Sequence, residues 1–299
     1  MTESTVTRMP GQPTPAPPPI PVGADLPSHE FGLAMGYLIG HYFLDMQDLH
    51  YGYWPIDLPP RPQHLALAQA RYTDFLIEHI PADVRTVLDV GCGAGNTARK
   101  LLDRGYQVDG VSPNGVLTEV ARAAFAGRGQ IYETRFQDLD TERRYDLVLF
   151  SESLLFIPLE QAFAKALDLL TPRGHVLITD IFRVPAEGKS PIGGGHELPK
   201  FREAIARVPL EPLADIDMTD GIAPTFDLLD GAYREAIEPG YRLVLARLST
   251  RYPWVMRFVR WKFRKQMQRY EEKHFSGRRN GINFKKYKSY RLLLYRSRA

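Results

Sequence analysis

The feature that most constrains this chain is residues 86–99, which read T-V-L-D-V-G-C-G-A-G-N-T-A-R. The apolar run Val87-Leu88-Asp89-Val90 reads as a buried strand that stops abruptly at glycines. Gly91, Gly93 and Gly95 lead into residues 96–102, which have helical character. Glycine is needed where a chain turns sharply and where backbone approaches a ligand with no Cβ in the way. A strand, a glycine turn and a helix N-terminus in that order predict a nucleotide-cofactor site at a strand's C-terminal edge.

A chain of 299 residues allows one or two domains and a full α/β core. With 44% hydrophobic and 24% charged residues, the composition is that of a soluble globular protein. No window has the roughly 18 uninterrupted apolar residues of a membrane span, and the first residues lack a secretion-signal pattern. The expectation is a cytoplasmic protein, at most peripheral to a membrane. Cys92 is the single cysteine, which excludes an internal disulfide and a multi-cysteine metal site. No metal is expected, and Cys92 reads as a small residue lining the glycine loop.

The spacing Asp-x-Gly-x-Gly-x-Gly, with Asp89 on the strand, resembles motif I of the class I S-adenosylmethionine-dependent methyltransferases. The dinucleotide fingerprint has a different third spacing and no such acid. The resemblance covers residues 81–181 well. It implies a seven-stranded, Rossmann-like α/β methyltransferase fold, S-adenosyl-L-methionine as cofactor, and cofactor contacts from Asp89, Gly91, Cys92, Gly93 and Gly95. A second strand at 107–111 ends in Ser112-Pro113-Asn114, where most of the family places an acid for the ribose hydroxyls. Ser112 and Asn114 are the ribose candidates, with weaker hydrogen bonds than a carboxylate makes. A third strand at 130–134 precedes Asp138, which the resemblance assigns to the adenine amino group, with Phe136 or Gln137 beside the ring.

The fourth strand, 145–150, runs into Ser151-Glu152-Ser153-Leu154-Leu155-Phe156. Parallel strands place ligands at their carboxyl ends, so this stretch faces the methyl donor. It resembles the Glu-containing strand end of the sterol, tocopherol and geranyl-diphosphate methyltransferases. Ser151 is thereby a cofactor contact, Glu152 the catalytic carboxylate and Phe156 an acceptor-side residue. A carboxylate beside a sulfonium or a cationic intermediate stabilises positive charge in a low-dielectric pocket. No Asn-Pro-Pro-Tyr or Asp-Pro-Pro-Tyr follows the strand, which disfavours amino methylation of adenine or glutamine. Pyrimidine C5 chemistry would need a second cysteine, which the sequence lacks.

Around this core the sequence divides into a disordered Pro-rich leader (1–28), a helical cap (29–80), the core (81–219), a helical basic insertion (220–286) and a last core strand (287–299). The cap holds an aromatic segment at 31–44, the cluster Leu49-His50-Tyr51-Gly52-Tyr53-Trp54, and a helix at 63–79. Tyr51 and Trp54 either line an acceptor site or pack the cap. A helix at 159–170, a turn at 171–174 and a strand at 175–181 follow. The glycine loop before His196 makes that histidine a candidate general base or a solvent-facing side chain. A helix at 199–208 and strands at 213–218 and 290–295 complete the core.

The insertion reads as two helices, 223–250 and 253–275, folding onto the cap as a substrate lid. From Arg251 onward there are 16 Lys and Arg against two Glu, a charge of +14; residues 1–250 carry −11. The interleaved aromatic and basic residues at 254–265 suit an acidic carrier protein, an anionic membrane surface or a solvated lid face, and no nucleic-acid recognition module accompanies them. The expected activity is methyl transfer to oxygen or carbon of a small or medium, lipophilic acceptor. The rivals are a membrane-lipid-modifying enzyme of the cyclopropane-synthase type and a non-catalytic cofactor-binding protein.

Overall fold

The computed structural model describes residues 28–113 and 115–298; the leader to residue 27, Asn114 and Ala299 lie outside them. Helices α1 (Ser28–Leu44) and α2 (Leu65–Glu78) precede β1 (Thr86–Val90). Then follow α3 (Asn96–Asp103), β2 (Gln107–Val111), α4 (Gly115–Phe125), β3 (Ile131–Tyr132) and β4 (Tyr145–Ser151). The chain continues through α5 (Leu159–Leu169), β5 (Leu170–Arg183), β6 (His196–Glu197), α6 (Leu198–Ile205) and β7 (Leu210–Asp217). Helices α7 (Thr219–Ala232), α8 (Glu238–Arg251), α9 (Pro253–His274) and α10 (Gly281–Tyr287) lead to β8 (Lys288–Ser297).

The sheet order is β3-β2-β1-β4-β5-β8-β7, with the short β6 paired to β5. β8 is antiparallel to both neighbours and the other pairs from β3 to β5 are parallel. This is the expected α/β architecture. Strand β1 lies between β2 and β4, so the chain order reverses there and opens a crevice beyond the carboxyl ends of β1 and β4. The central strands read as continuous apolar runs because helices cover both faces. Val87, Leu88, Leu147, Val148, Leu149, Val176 and Leu177 are all buried. Each such side chain contributes about 1.5–3 kcal/mol.

The edges of the elements depart from the sequence expectation. β3 is two residues long, as befits an edge strand with one neighbour. β5 starts early: Leu170 pairs with Tyr145 and His175 with Leu147, so residues 171–174 bulge out of the ladder, with Arg173 at φ +60°. The first insertion helix begins at Thr219 and runs to Arg251 through a π-turn at Tyr233–Ile237. Pro239 has no N–H to give to the carbonyl four residues back, and widening the turn accommodates that gap. The short α10 carries too few residues to announce itself; Asn280 caps it by accepting from the Asn283 N–H at 3.0 Å.

The insertion is also not one lid. α7 and α10 pack on each other through Phe226 stacked on Phe284 at 4.2 Å, and both rings join the core formed with Tyr290 and Leu292. α7 grips the cap where the Trp54 Nε1–H donates to Thr225 Oγ1 at 2.9 Å. The α8–α9 hairpin buries only Met256 and stands off from the rest.

Candidate functional site

The sheet crevice holds a cavity of about 580 Å³, within the range of small-molecule sites. Its floor is the glycine loop after β1. Gly91 (φ +73°), Gly93 (φ +54°) and Gly95 (φ +78°) all adopt conformations that favour glycine. They serve different ends. A Cβ on Gly91 would lie 2.6 Å from the Ser153 Cβ, and one on Gly95 2.9 Å from the Ala121 Cα, so these two let β4's end and α4 close in. A Cβ on Gly93 would meet nothing nearer than 4.0 Å; it faces the cavity. Gly95 is therefore a packing glycine and does not line the cavity, whereas Gly91, Cys92 and Gly93 do.

Asp89, at the end of β1, is 2% exposed and its Oδ2 has no hydrogen-bond partner among the described residues. Burial, reinforced by the negative charge of Asp48, pushes its carboxyl up to about 7. An unpaired buried carboxylate aimed at a cavity is costly unless a ligand completes it. Burial likewise pushes the Cys92 thiol well up, so it is no thiolate nucleophile.

Beside Asp89 lies a buried polar group that the sequence reading passed over. Asp48 accepts from Asn96 Nδ2 at 2.6 Å and lies 3.4 Å from His50 Nε2 and 3.7 Å from Lys100 Nζ. Burial opposes its charge, but His50, Lys100 and Asn96 together hold its carboxyl below the usual range. His50 has acceptors at both ring nitrogens: the Tyr51 carbonyl at 2.8 Å, and Thr73 Oγ1 and Asp48 opposite. Burial works against the imidazolium, yet Asp48 and Glu152 raise its pKa. The available signal was local: Asp48 and His50 are polar residues inside an otherwise aromatic and apolar stretch.

Glu152 stands at the end of β4 with φ +55°, a conformation a non-glycine residue adopts at a cost of about 1–3 kcal/mol. Its Oε1 accepts from the Tyr51 N–H at 3.0 Å and the Tyr290 O–H at 2.7 Å. Burial pushes its carboxyl up, with His50 and the two donors pulling the other way. Tyr290 also meets the Tyr72 hydroxyl at 2.8 Å, and Tyr72 reaches Thr179 Oγ1 at 2.7 Å and Ser151 Oγ at 3.1 Å. This network ties α2, β4, β5 and β8 together behind the cavity wall. Tyr72 and Tyr290 lie in segments far from motif I, and nothing local marks them.

Of the other predicted site residues, Ser112, Ser151, Tyr51 and Phe156 line the cavity. Phe156 is 74% exposed at its mouth, and Phe136 and Gln137 are on the wall. Three residues lie elsewhere. Asp138 is turned to Arg135, whose Nε donates to it at 2.6 Å, and it is absent from the lining. Trp54 is buried in the cap, where its indole N–H serves Thr225. His196 places Nε2 3.0 Å from the carbonyls of both Leu154 and Ile157, which pins β6 to the turn after β4. Asn114 lies outside the described residues. No residue of 219–287 lines the cavity, so the insertion is not its cover. Among the described residues no His, Cys, Asp and Glu group is arranged to hold a metal.

A parallel sheet with its switch point at β1, a glycine loop and an orphaned acid at that strand's end define a class I, S-adenosylmethionine-dependent methyltransferase domain. Residues 87–174 match the family described as "Methyltransferase domain", and the likeness to that class rests on this segment. A ubiquinone biosynthesis O-methyltransferase of Xanthomonas axonopodis pv. citri is 33% identical over 141 residues, 45% of this chain and 58% of the relative. The chain thus spans little more than half of that relative's length. Among solved structures, the geranyl diphosphate C-methyltransferase of Streptomyces coelicolor A3(2) superposes with TM-score 0.62 at 15% identity, covering 92% of this chain and 100% of that one. The [4+2]-cyclase SpnF superposes with TM-score 0.60 at 18% identity, covering 91% and 97%. These two likenesses establish the fold.

The cofactor of this domain class is S-adenosylmethionine, and the site fits it. The orphaned Asp89 Oδ2 offers an acceptor to a cationic ligand, and Gly93 leaves open the space a ligand's backbone-side contact needs.

Proposed function

We propose that the chain transfers a methyl group from S-adenosylmethionine to an oxygen or carbon of a small or medium, lipophilic acceptor. The observation that carries this is Glu152: a carboxylate at the cavity wall, on backbone at φ +55°, fixed through Oε1 by two donors, with Oε2 accepting nothing from the described residues. Asp89, Gly91, Gly93 and Ser112 would hold the cofactor, which supplies an activated methyl group when bound. Glu152 Oε2 takes the acceptor's proton, or balances positive charge on a carbon acceptor. Leu49, Leu117, Leu155, Phe156 and Ile181 give the cavity its apolar wall, which suits a lipophilic acceptor. Positioning of the acceptor and exclusion of water supply most of the rate. His196, held by two carbonyls, positions the turn after β4 rather than acting as the base.

The test is transfer of label from methyl-labelled S-adenosylmethionine to a panel of phenolic, enolic and prenyl acceptors. S-adenosylhomocysteine should form in step with labelled product, and Glu152→Gln should lower kcat by about 100-fold or more while cofactor binding survives. A cyclase shares the fold, so conversion of an acceptor without label transfer would overturn methyl transfer in favour of a reaction in which the cofactor is not consumed.

A further inference from the structure

We infer that the tip of the α8–α9 hairpin is a docking surface for an anionic lipid membrane. The proposal stands on this surface alone and holds whether or not the methyl-transfer reading does.

Two observations carry it. The first is a set of large apolar side chains left exposed. Trp254, Phe258 and Trp261 are 80%, 54% and 64% exposed. Spaced i, i+4 and i+7, they form one stripe on α9, opposite the side where Met256 is buried. Tyr252 and Val255 at the turn of the hairpin, and Leu243 and Val244 on α8, are exposed too. Apolar surface on this scale marks an interaction site.

The second is charge without counter-charge. Arg122, Arg128, Arg135, Arg183, Arg234 and Arg291 all sit in ion pairs. Arg257, Arg260, Lys262, Arg264, Lys265 and Arg269 flank the aromatic stripe, and among the described residues none of them pairs with a carboxylate. Arg260 donates to Ser249 Oγ, and Lys262 lies over the rings of Phe258 and Phe263.

Rings aligned with unpaired cations fit the boundary of an anionic bilayer. Aromatic side chains seat between headgroups and acyl chains while Lys and Arg meet lipid phosphates. No described helix is long and apolar enough to cross a membrane, so the hairpin lies on the surface. A second copy meeting the same face would bring these cations together, which disfavours a symmetric dimer. An acidic protein would satisfy the cations but would need a pocket for each ring. A bilayer needs none.

The test is co-sedimentation of the full chain with phosphatidylcholine vesicles, with and without about 30 mol % phosphatidylglycerol. The expected result is binding to the anionic vesicles only, falling steeply as salt rises from about 0.05 to 0.5 M. Tryptophan emission should shift to the blue, because two of the three tryptophans, Trp254 and Trp261, are at the tip. The triple variant Trp254→Ser, Phe258→Ser, Trp261→Ser should lose binding tenfold or more. The variant Arg257→Gln, Lys262→Gln, Arg264→Gln should lose about fivefold for each cation removed. Both should keep the wild-type circular dichroism and melting temperature, since these side chains are exposed. Three results would overturn the proposal: a wild type that stays unbound, aromatic variants that bind like wild type, or binding to polyglutamate without binding to vesicles.

Discussion

Asp89 joins structure to function through a cost. Its carboxyl has a value near 3.9 in an unfolded chain and about 7 in the fold, because burial and the Asp48 charge disfavour ionisation. A raised folded value means a stabilising contribution fully present below about 4 and lost as pH rises through about 7. Over that range the contribution is about 4 kcal/mol. The ligand-free protein should therefore melt lower at pH 8 than at pH 5.5, and Asp89→Asn should flatten the difference and melt higher at pH 8. The same variant should bind S-adenosylmethionine about 10- to 100-fold more weakly, because a charge-assisted contact is lost. Thermal melts across pH with parallel titration calorimetry check both signs. In wild type, a cationic ligand favours the ionised acid, so binding near pH 6.5 should release protons, read as a dependence of the heat on the buffer's ionisation enthalpy.

At the scale of elements, the site depends on strands that meet only in three dimensions. β8 runs antiparallel between β5 and β7 and brings the Tyr290 hydroxyl to Glu152 just beyond β4, 138 residues away in sequence. That donor favours the charged carboxylate. Tyr290→Phe should therefore raise the pKa of Glu152 and move the acidic limb of the kcat/KM profile to higher pH, with cofactor affinity unchanged. It should also cost about 1–3 kcal/mol, since the Tyr72 hydroxyl loses a buried partner. A merely structural role would lower the melting temperature without moving the profile.

Across the whole molecule, stability is unevenly distributed. The sheet is buried on both faces, while α8 has no buried residue and α9 only Met256. Few buried contacts and many solvent-facing backbone hydrogen bonds make a segment that opens easily. Trypsin should thus cut first within 242–269, where nine Lys and Arg lie. The remaining nicked core should keep its melting transition and its cofactor affinity, checked by mass spectrometry of early fragments and a melt of the nicked protein. First cleavage in the glycine loop after β5 would contradict this picture.

The sequence by itself determined the strand–glycine–helix unit at 86–102, the order of core strands and the carboxylate at the end of β4. Each of these is written locally, in apolar runs of strand length, in glycines where positive φ is required, and in the chain's continuity from strand to loop. Tertiary structure alone decided the rest. It turned Asp138 onto Arg135, committed Trp54 to Thr225 and His196 to two carbonyls, and set Gly95 against α4. It brought Asp48 and His50, Tyr72, and Tyr290 together beside the cavity from three separate segments. The physical reason is that a residue type declares which bonds it can make, whereas the neighbour that takes up the bond is fixed only when burial forces every polar group to find a partner. The α8–α9 hairpin is the converse case: its composition was plain in the sequence, and only the fold showed that its rings stay exposed and that the cations flanking them meet no carboxylate among the described residues.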